Sequence, residues 1–352
     1  MTENIAKVFR LAEDSTKRFA PQKLGWSWGQ ALFLYGLALI DQENGTGKYT
    51  DYLKSYYDYY IAKGHRVNTS DTAAPGLGAY TLAKLTGEEK YYQEAMRVRQ
   101  YIASSPKVVE DMPNHLGNGI ESWFYPKSIW IDSIMMYGVF CSLFAKGEQD
   151  AQLMEFAQAQ PALFEKYLRD KKTGLYYHCY WTKKGTHYPK TPIFWGRGNG
   201  WVTAAISLFA DNFSSLQAKE DALRIHKELS IALAPWQRED GYFETIFNKV
   251  GKTYKESSAT MLIAAGWFYG YRKGFLPKEY LERAKLAFDA VVSDFQVKKG
   301  LLSMPYISAP TTPLQVAPYF FYKILPCGND LKYGLFAAFI AALEYKRCLE
   351  TV

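Results

Sequence analysis

A turn of similar composition recurs behind successive helical stretches of this chain, and that repeat restricts the fold more than any other feature. Lys172-Thr173-Gly174-Leu175-Tyr176, Glu239-Asp240-Gly241-Tyr242-Phe243 and Lys298-Lys299-Gly300-Leu301-Leu302 each follow a long amphipathic segment, their glycines 67 and 59 residues apart. Within such segments apolar residues return at helical spacing, as in Tyr91, Ala95, Val98 and Ile102, in Ala222, Ile225, Leu229 and Ala232, and in Leu281, Ala284, Phe288 and Val291. The unit is therefore a helical pair of about sixty residues, ending in a turn and short hairpin and then repeated.

The period predicts helices over residues 3–20, 28–41, 48–64, 73–86, 89–104, 129–146, 151–169, 199–212, 217–233, 256–273, 278–294 and 333–349. Strand-like alternation is confined to Leu175–Tyr180 and Tyr242–Phe247. Twelve helices in six hairpins form either an open solenoid or an all-α (α/α)6 barrel with inner and outer rings and short β-hairpins in the connecting loops. A solenoid needs polar capping ends, whereas Tyr333 to Tyr345 is apolar almost all round. A terminal helix of that kind has to be buried, which favours closure. No Pro/Gly/Ser linker or charge run divides the 352 residues, 48% of them hydrophobic, so residues 1–352 are expected to form one domain around one large core.

Composition removes several function classes. The formal charge is +7, but 42 Lys and Arg are scattered among 35 acidic residues without a basic block, so no nucleic-acid partner is expected and an acidic small substrate is compatible. Cys141, Cys179, Cys327 and Cys348 are far apart and form no Cys-x-x-Cys pair; neither a zinc site nor a redox motif is indicated. There is no Walker loop, dinucleotide fingerprint or nucleophile elbow, and no His/Cys/Asp cluster at ligand spacing, so neither cofactor nor metal is expected. Met1 to Asp14 lacks an apolar signal core and no run is long enough to span a bilayer; we expect a cytoplasmic protein with reduced thiols and no membrane partner. Oligomeric state leaves no mark in the sequence.

The densest chemistry lies in Phe194-Trp195-Gly196-Arg197-Gly198-Asn199-Gly200-Trp201. Three glycines in five residues imply unusual dihedrals or close approach of the backbone to something else. Two indoles beside one guanidinium offer flat apolar faces and a planar cation that grips a carboxylate, the pairing a uronic acid needs. The competing reading is a glycine-rich turn with core tryptophans. Asp132 is the lone carboxylate in Lys127–Tyr137: burial would raise its pKa toward that of a general acid, or it is an ordinary N-cap. Asp71 precedes an apolar helix in an ordinary capping context. Of five histidines, His178 is placed near the Arg197 stretch with aromatic neighbours. Trp26 and Trp28 open a helix and either line the cleft or pack the core, and Glu256 resembles a cap.

Taken in order, the Trp-x-x-Gly opening at Trp26, Asp71 to Gly76, Trp130 to Asp132, Tyr177-His178, Phe194 to Trp201 and Ser257 to Thr260 resemble the motifs of glycoside hydrolase family 105, the unsaturated rhamnogalacturonyl hydrolases. The resemblance covers most of the chain. It implies an (α/α)6 barrel and an unusual reaction: hydration of the C4=C5 double bond of the unsaturated galacturonate that a lyase leaves at a non-reducing end. It further implies that Asp132 is the general acid/base, that Asp71 assists, and that His178, Arg197 and Trp201 bind the unsaturated uronyl oligosaccharide, with Trp195, Trp130 and Trp28 lining the same cleft. Family 88, the unsaturated glucuronyl hydrolases, is similar but usually has Gln-Ala where this chain has Asn199-Gly200. Three other readings compete: an inverting glycosidase, an epimerase with a second cleft histidine, and an idle sugar-binding protein. The last gains if Asp132 merely caps its helix.

Overall fold

The computed structural model describes residues 2–314 and 316–351. Its helices are α1 (Glu3–Arg18), α2 (Trp28–Asn44), α3 (Thr50–Lys63), α4 (Ser70–Ala73), α5 (Gly76–Thr86), α6 (Glu89–Ser104), α7 (Val139–Glu148), α8 (Ala151–Leu168), α9 (Gly196–Phe209), α10 (Leu216–Leu233), α11 (Ser257–Arg272), α12 (Lys278–Ser293), α13 (Pro318–Ile324) and α14 (Lys332–Thr351). Short strands lie between them: β1 (Lys107–Val109), β2 (Met112–Pro113), β3 (Ser128–Trp130), β4 (Cys179–Trp181), β5 (Thr186–Tyr188), β6 (Gln296–Lys298), β7 (Leu301–Ser303), β8 (Ile307–Ser308) and β9 (Cys327–Gly328). All pair antiparallel, in the orders β1-β2, β3-β4-β5, β6-β7 and β8-β9.

The helices form two rings. Contacts run from α2 to α5, α7, α9, α11, α14 and back to α2, and this inner ring is closed. Helices α1, α3, α6, α8, α10 and α12 pack outside it. The residue pattern of each helix explains its ring. In α11 every residue from Ser257 to Gly270 is buried, whereas α12 buries one stripe: Tyr280, Leu281, Ala284, Ala287, Phe288, Val291 and Val292. A helix apolar all round needs neighbours on every side, and an amphipathic one needs them on one side. Closure rests on α14, which packs between α11 and α2. There a Cβ on Gly36 would come within 2.9 Å of the Phe339 ring, so only glycine lets the first and last inner helices approach this closely.

The repeated turns sit where the sequence places them, after α8, α10 and α12, and their glycines have φ of 76°, 87° and 77° at Gly174, Gly241 and Gly300. After α6 a hairpin of the same length joins β1 to β2 without glycine: Glu110 at φ 43° stands where Lys299, at φ 53°, stands in the β6-β7 turn.

Two differences from the predicted spans matter for the site. The helix expected over 129–146 begins instead as β3, paired with β4 through Ser128↔Trp181 and Trp130↔Cys179, and becomes helical only at a π turn, Ile134–Gly138, leading into α7. An unbroken apolar run such as Ile129-Trp130-Ile131 does not distinguish buried strand from buried helix by periodicity. Helix α13, seven residues opened by Pro318, is too short to show a period. Among the described residues no helix is long and apolar enough to cross a membrane.

Candidate active site

The starts of the inner helices meet at one end of the ring, and the candidate residues sit on them. Trp28 opens α2, Asp71 lies in α4 just ahead of α5, Asp132 precedes the π turn, Arg197 is in the first turn of α9, Glu256 caps α11 and Tyr333 is in the first turn of α14. Trp28 stacks on Tyr333 at 4.5 Å between ring centroids and meets Trp201 edge-on at 6.3 Å. A loop hairpin contributes His178, the residue before β4.

Asp132 is 8% exposed, and its carboxylate caps nothing: Ser133 holds the N-cap position and no side chain bonds there. Its Oδ2 faces His178 Nε2 at 3.3 Å, close enough for strong attraction although the angle is outside hydrogen-bond geometry, and neither atom has another partner among the described residues. Burial pushes the Asp132 carboxyl up, but hydrogen bonding and charge from His178, with charge from His115 and Arg197, outweigh it and hold the group below its usual value. This corrects the expectation that burial would make Asp132 the raised acid. His178 is itself lowered, chiefly by burial, so it is neutral near pH 7. Its ring stacks on Trp195 at 4.3 Å and its Nδ1 lies 2.7 Å from the Tyr322 hydroxyl of α13.

The raised acid is Asp71, pushed up to about 8 by burial, then by the Asp132 charge and by Glu121. A third of its side chain remains accessible, so solvent screens part of that repulsion while the direction stands. Its Oδ1 faces Nε2 of His115 at 3.6 Å, a buried histidine that sequence reading overlooked. His115 contacts Ser133 Oγ at 2.8 Å through Nδ1, and Ser133 donates onward to Ser70 at 3.2 Å. His115 therefore donates from Nδ1 and turns the lone pair of Nε2 toward Asp71, which suits a protonated carboxyl. Burial lowers His115 to about 4, and it stacks on Trp130 at 4.3 Å. The only sequence signal for His115 was its residue type, with no motif around it.

The octapeptide works from behind the site. Arg197 is fully buried, sandwiched between Trp195 and Tyr333 at 4.7 and 4.6 Å. It donates to Ser308 Oγ at 2.6 Å, to the Ser308 carbonyl at 3.1 Å, to the Ala309 carbonyl at 3.0 Å and to Thr311 at 3.2 Å; the buried Glu256 carboxylate is 3.9 Å away. Of its nitrogens Nε alone lacks a partner. Trp201 is likewise fully buried and Trp195 is 2% exposed. Arg197 and Trp201 thus hold the site together in this conformation, where they were expected to offer a fork and a platform to substrate. The glycines have ordinary negative φ and serve close approach: a Cβ at Gly196 would meet the Glu244 carbonyl at 2.6 Å, at Gly198 the Trp195 ring at 2.8 Å and at Gly200 Leu262 at 2.9 Å. Asn199 fastens the hairpin, accepting from Tyr176 N at 2.8 Å and donating to the Tyr176 and Trp195 carbonyls at 3.0 Å.

The sequence profile described as Glycosyl Hydrolase Family 88 matches residues 1–349. The chain belongs to glycosyl hydrolase family 88. Among its relatives is the unsaturated rhamnogalacturonyl hydrolase YesR of Bacillus subtilis (strain 168), 27% identical over 299 residues that cover 83% of this chain and 84% of the relative. The solved structure of a family 105 glycoside hydrolase from C. acetobutylicum ATCC 824 superposes with a TM-score of 0.85 at 25% identity, over 96% of this chain and 98% of the other. A family 88 structure from Bacteroides vulgatus, 18% identical, superposes at 0.78 over 98% of this chain and 99% of its own, which shows the shared fold. Both the (α/α)6 barrel and glycoside hydrolase activity follow from this membership. Within this family 88 chain, no group of three or more His, Cys, Asp or Glu among the described residues is placed to hold a metal ion.

Proposed function

We propose that this enzyme releases unsaturated galacturonic acid from the non-reducing end of lyase-generated rhamnogalacturonan fragments by hydrating the C4=C5 vinyl ether, within one catalytic domain spanning residues 1–352. The substrate class is supported by the relationship to YesR and by the shape agreement with a family 105 enzyme. One arrangement carries the chemistry: two carboxyl groups at the same end of the ring, Asp132 buried against His178 with its pKa lowered and Asp71, partly accessible and facing His115, with its pKa raised. Vinyl-ether hydration consumes one proton and returns one. A carboxyl group protonates C4, positive charge develops at C5 and the ring oxygen, water adds to C5, and a carboxylate takes the proton that water loses. The hemiketal then opens and frees the neighbouring sugar.

Asp132 is assigned as the general acid/base and Asp71 as its proton reserve. A uronate entering the site adds a second negative charge beside that of Asp132, and like charge favours the protonated form of a carboxyl. Binding therefore moves Asp132 toward the acid form that C4 requires, and release of that proton restores the ionised base. His178, between Asp132 and Trp195, orients the carboxylate. Arg197 supplies positive potential from one layer behind; Trp28, half-buried, and Trp130 are assigned to the substrate side. The presence of His115 satisfies the second-histidine condition of an epimerase, but membership in a hydrolase family decides against that chemistry. Asp132 does not cap its helix, which removes the main support for an idle binder. Four unpaired cysteines, three of them buried, fit a cytoplasmic location.

The test is to follow the ultraviolet absorbance of the conjugated enol ether in unsaturated rhamnogalacturonan disaccharide. Wild type should consume it and Asp132→Asn should lose at least about a hundredfold in rate. Persistence of the absorbance with wild type, while unsaturated glucuronyl disaccharide is consumed, would move the substrate to glycosaminoglycan-type fragments.

A further inference from the structure

We infer that Tyr322 is a positioning residue: its hydroxyl sets the tautomer of His178 so that the imidazole presents an N–H to Asp132. The inference rests on the acid/base role proposed for Asp132 and concerns a residue outside every motif of the sequence.

His178 is 1% exposed, and each ring nitrogen faces one group: Nδ1 is hydrogen-bonded to Tyr322 Oη at 2.7 Å, and Nε2 faces Asp132 Oδ2 at 3.3 Å in a charge contact outside hydrogen-bond geometry, the latter two atoms lacking any other partner among the described residues. A neutral imidazole has one N–H and one lone pair to distribute between them. If Nδ1 carried the proton, the Nε2 lone pair would point at a carboxylate oxygen, an uncompensated repulsion in a buried site. If Tyr322 donates to Nδ1, the N–H lies on Nε2 and meets the carboxylate, so both contacts are attractive. Tyr322 can only act as a neutral phenol here: it is fully buried, and burial together with nearby Cys179, Tyr125, Asp132 and Tyr188 keeps its proton on.

The placement of Tyr322 is built rather than incidental. Helix α13 lies in the strap between β8 and β9, which pair Ile307 with Gly328 and Ser308 with Cys327. The strap is fastened at its first half by Arg197 to Ser308, Ala309 and Thr311, and by Tyr125 donating to the Pro313 carbonyl at 2.5 Å. At its second half Tyr254 reaches the Tyr322 carbonyl at 3.5 Å, and the Tyr322 ring lies at a shallow angle to His178 and Trp195. Besides Asp132, the charged and titratable groups around the pair are Arg197 and His115 on the His178 side and Cys179, Tyr125 and Tyr188 on the Tyr322 side, and none of them is hydrogen-bonded to His178 Nδ1. Among the described residues Tyr322 is the one hydrogen-bond partner of that nitrogen. The Arg197 cluster thereby gains a purpose that substrate contact does not give it: it anchors the strap that carries Tyr322.

The decisive measurement is the ¹⁵N spectrum of histidine-labelled protein, with His178 assigned by comparison with His178→Gln. Wild type should show the Nε2–H tautomer, and Tyr322→Phe, which keeps the ring and removes the hydroxyl, should show a mixture or the Nδ1–H form. In turnover, Tyr322→Phe should lower kcat roughly ten- to a hundredfold with little change in KM. The acid limb of its pH profile should move to higher pH, because a weaker contact lets the Asp132 pKa rise. A wild-type Nδ1–H tautomer, or a variant with an unchanged tautomer and acid limb, overturns the inference. The spectrum needs no substrate, so a wrong assignment of the reaction would leave this result standing or falling by itself.

Discussion

Asp71 and Asp132 are the same side chain in the same site, and their neighbours drive them to opposite protonation states. His178 answers the cost of burial at Asp132; at Asp71 nothing does, and the charge of Asp132 adds to it. The difference has a consequence for stability. Asp71 has an ordinary value near 3.8 when unfolded and about 8 when folded, so between those limits the native state binds the extra proton. Stability from this group is therefore fully present at low pH and is lost as pH rises toward 8. Asp71→Asn, always neutral, should gain melting temperature relative to wild type at pH 9 and show a smaller gain, or none, at pH 5. Calorimetry at both pH values checks this, and an equal offset at both would refute it. A related expectation concerns ligand: a saturated galacturonate, which cannot react, should take up protons on binding near neutral pH. Titration calorimetry in buffers of different ionisation enthalpy reads that uptake directly, and proton release would contradict the charge argument.

At the scale of elements, the first turn of α9 shows how one octapeptide can be visible in sequence while its packing is not. Its glycines announced close approach, and close approach is what they provide, against Glu244, Trp195 and Leu262. Gly200→Ala should cost about 1–3 kcal/mol by forcing α9 and α11 apart, measured by urea unfolding, with the barrel retained. Arg197→Ala should cost more, about 3–5 kcal/mol, because it leaves the buried Glu256 carboxylate without its nearest positive charge. If Arg197→Ala unfolds no more easily than wild type, its network is not structural. Residue type reports what Arg197 can bind, whereas its partners Ser308, Ala309 and Thr311 come from more than a hundred residues away and could not be read from its neighbours in sequence. The start of β3 was misread for a different reason: strand pairing with β4 is nonlocal, and the apolar run around Asp132 is equally compatible with a helix.

At the scale of the whole molecule the closed ring makes buried, unpaired titratable groups tolerable, and these set its acid limit. His226 is fully buried on α10, lies 3.3 Å from Ser230 and is lowered to about 3; His115 is lowered to about 4. Both are neutral in the fold, so below the ordinary value of 6.5 the unfolded chain takes protons that the native chain does not. Stability should fall as pH drops from about 6.5 toward 4, and His226→Gln should shrink the melting-temperature difference between pH 7 and pH 5. The period of the helices, the positive-φ turns and the apolar last helix were all local properties, so twelve helices, their alternation and the closure of the ring could be read from the chain itself. Asp71 and Asp132 could be singled out through the family resemblance, while their composition alone was equally that of helix caps. Which carboxylate keeps its proton, that Arg197 faces inward, and that His115 and Tyr322 join the site were decided only by tertiary structure. Those outcomes depend on burial and on partners distant in sequence, and both electrostatic terms exist only after the ring has closed.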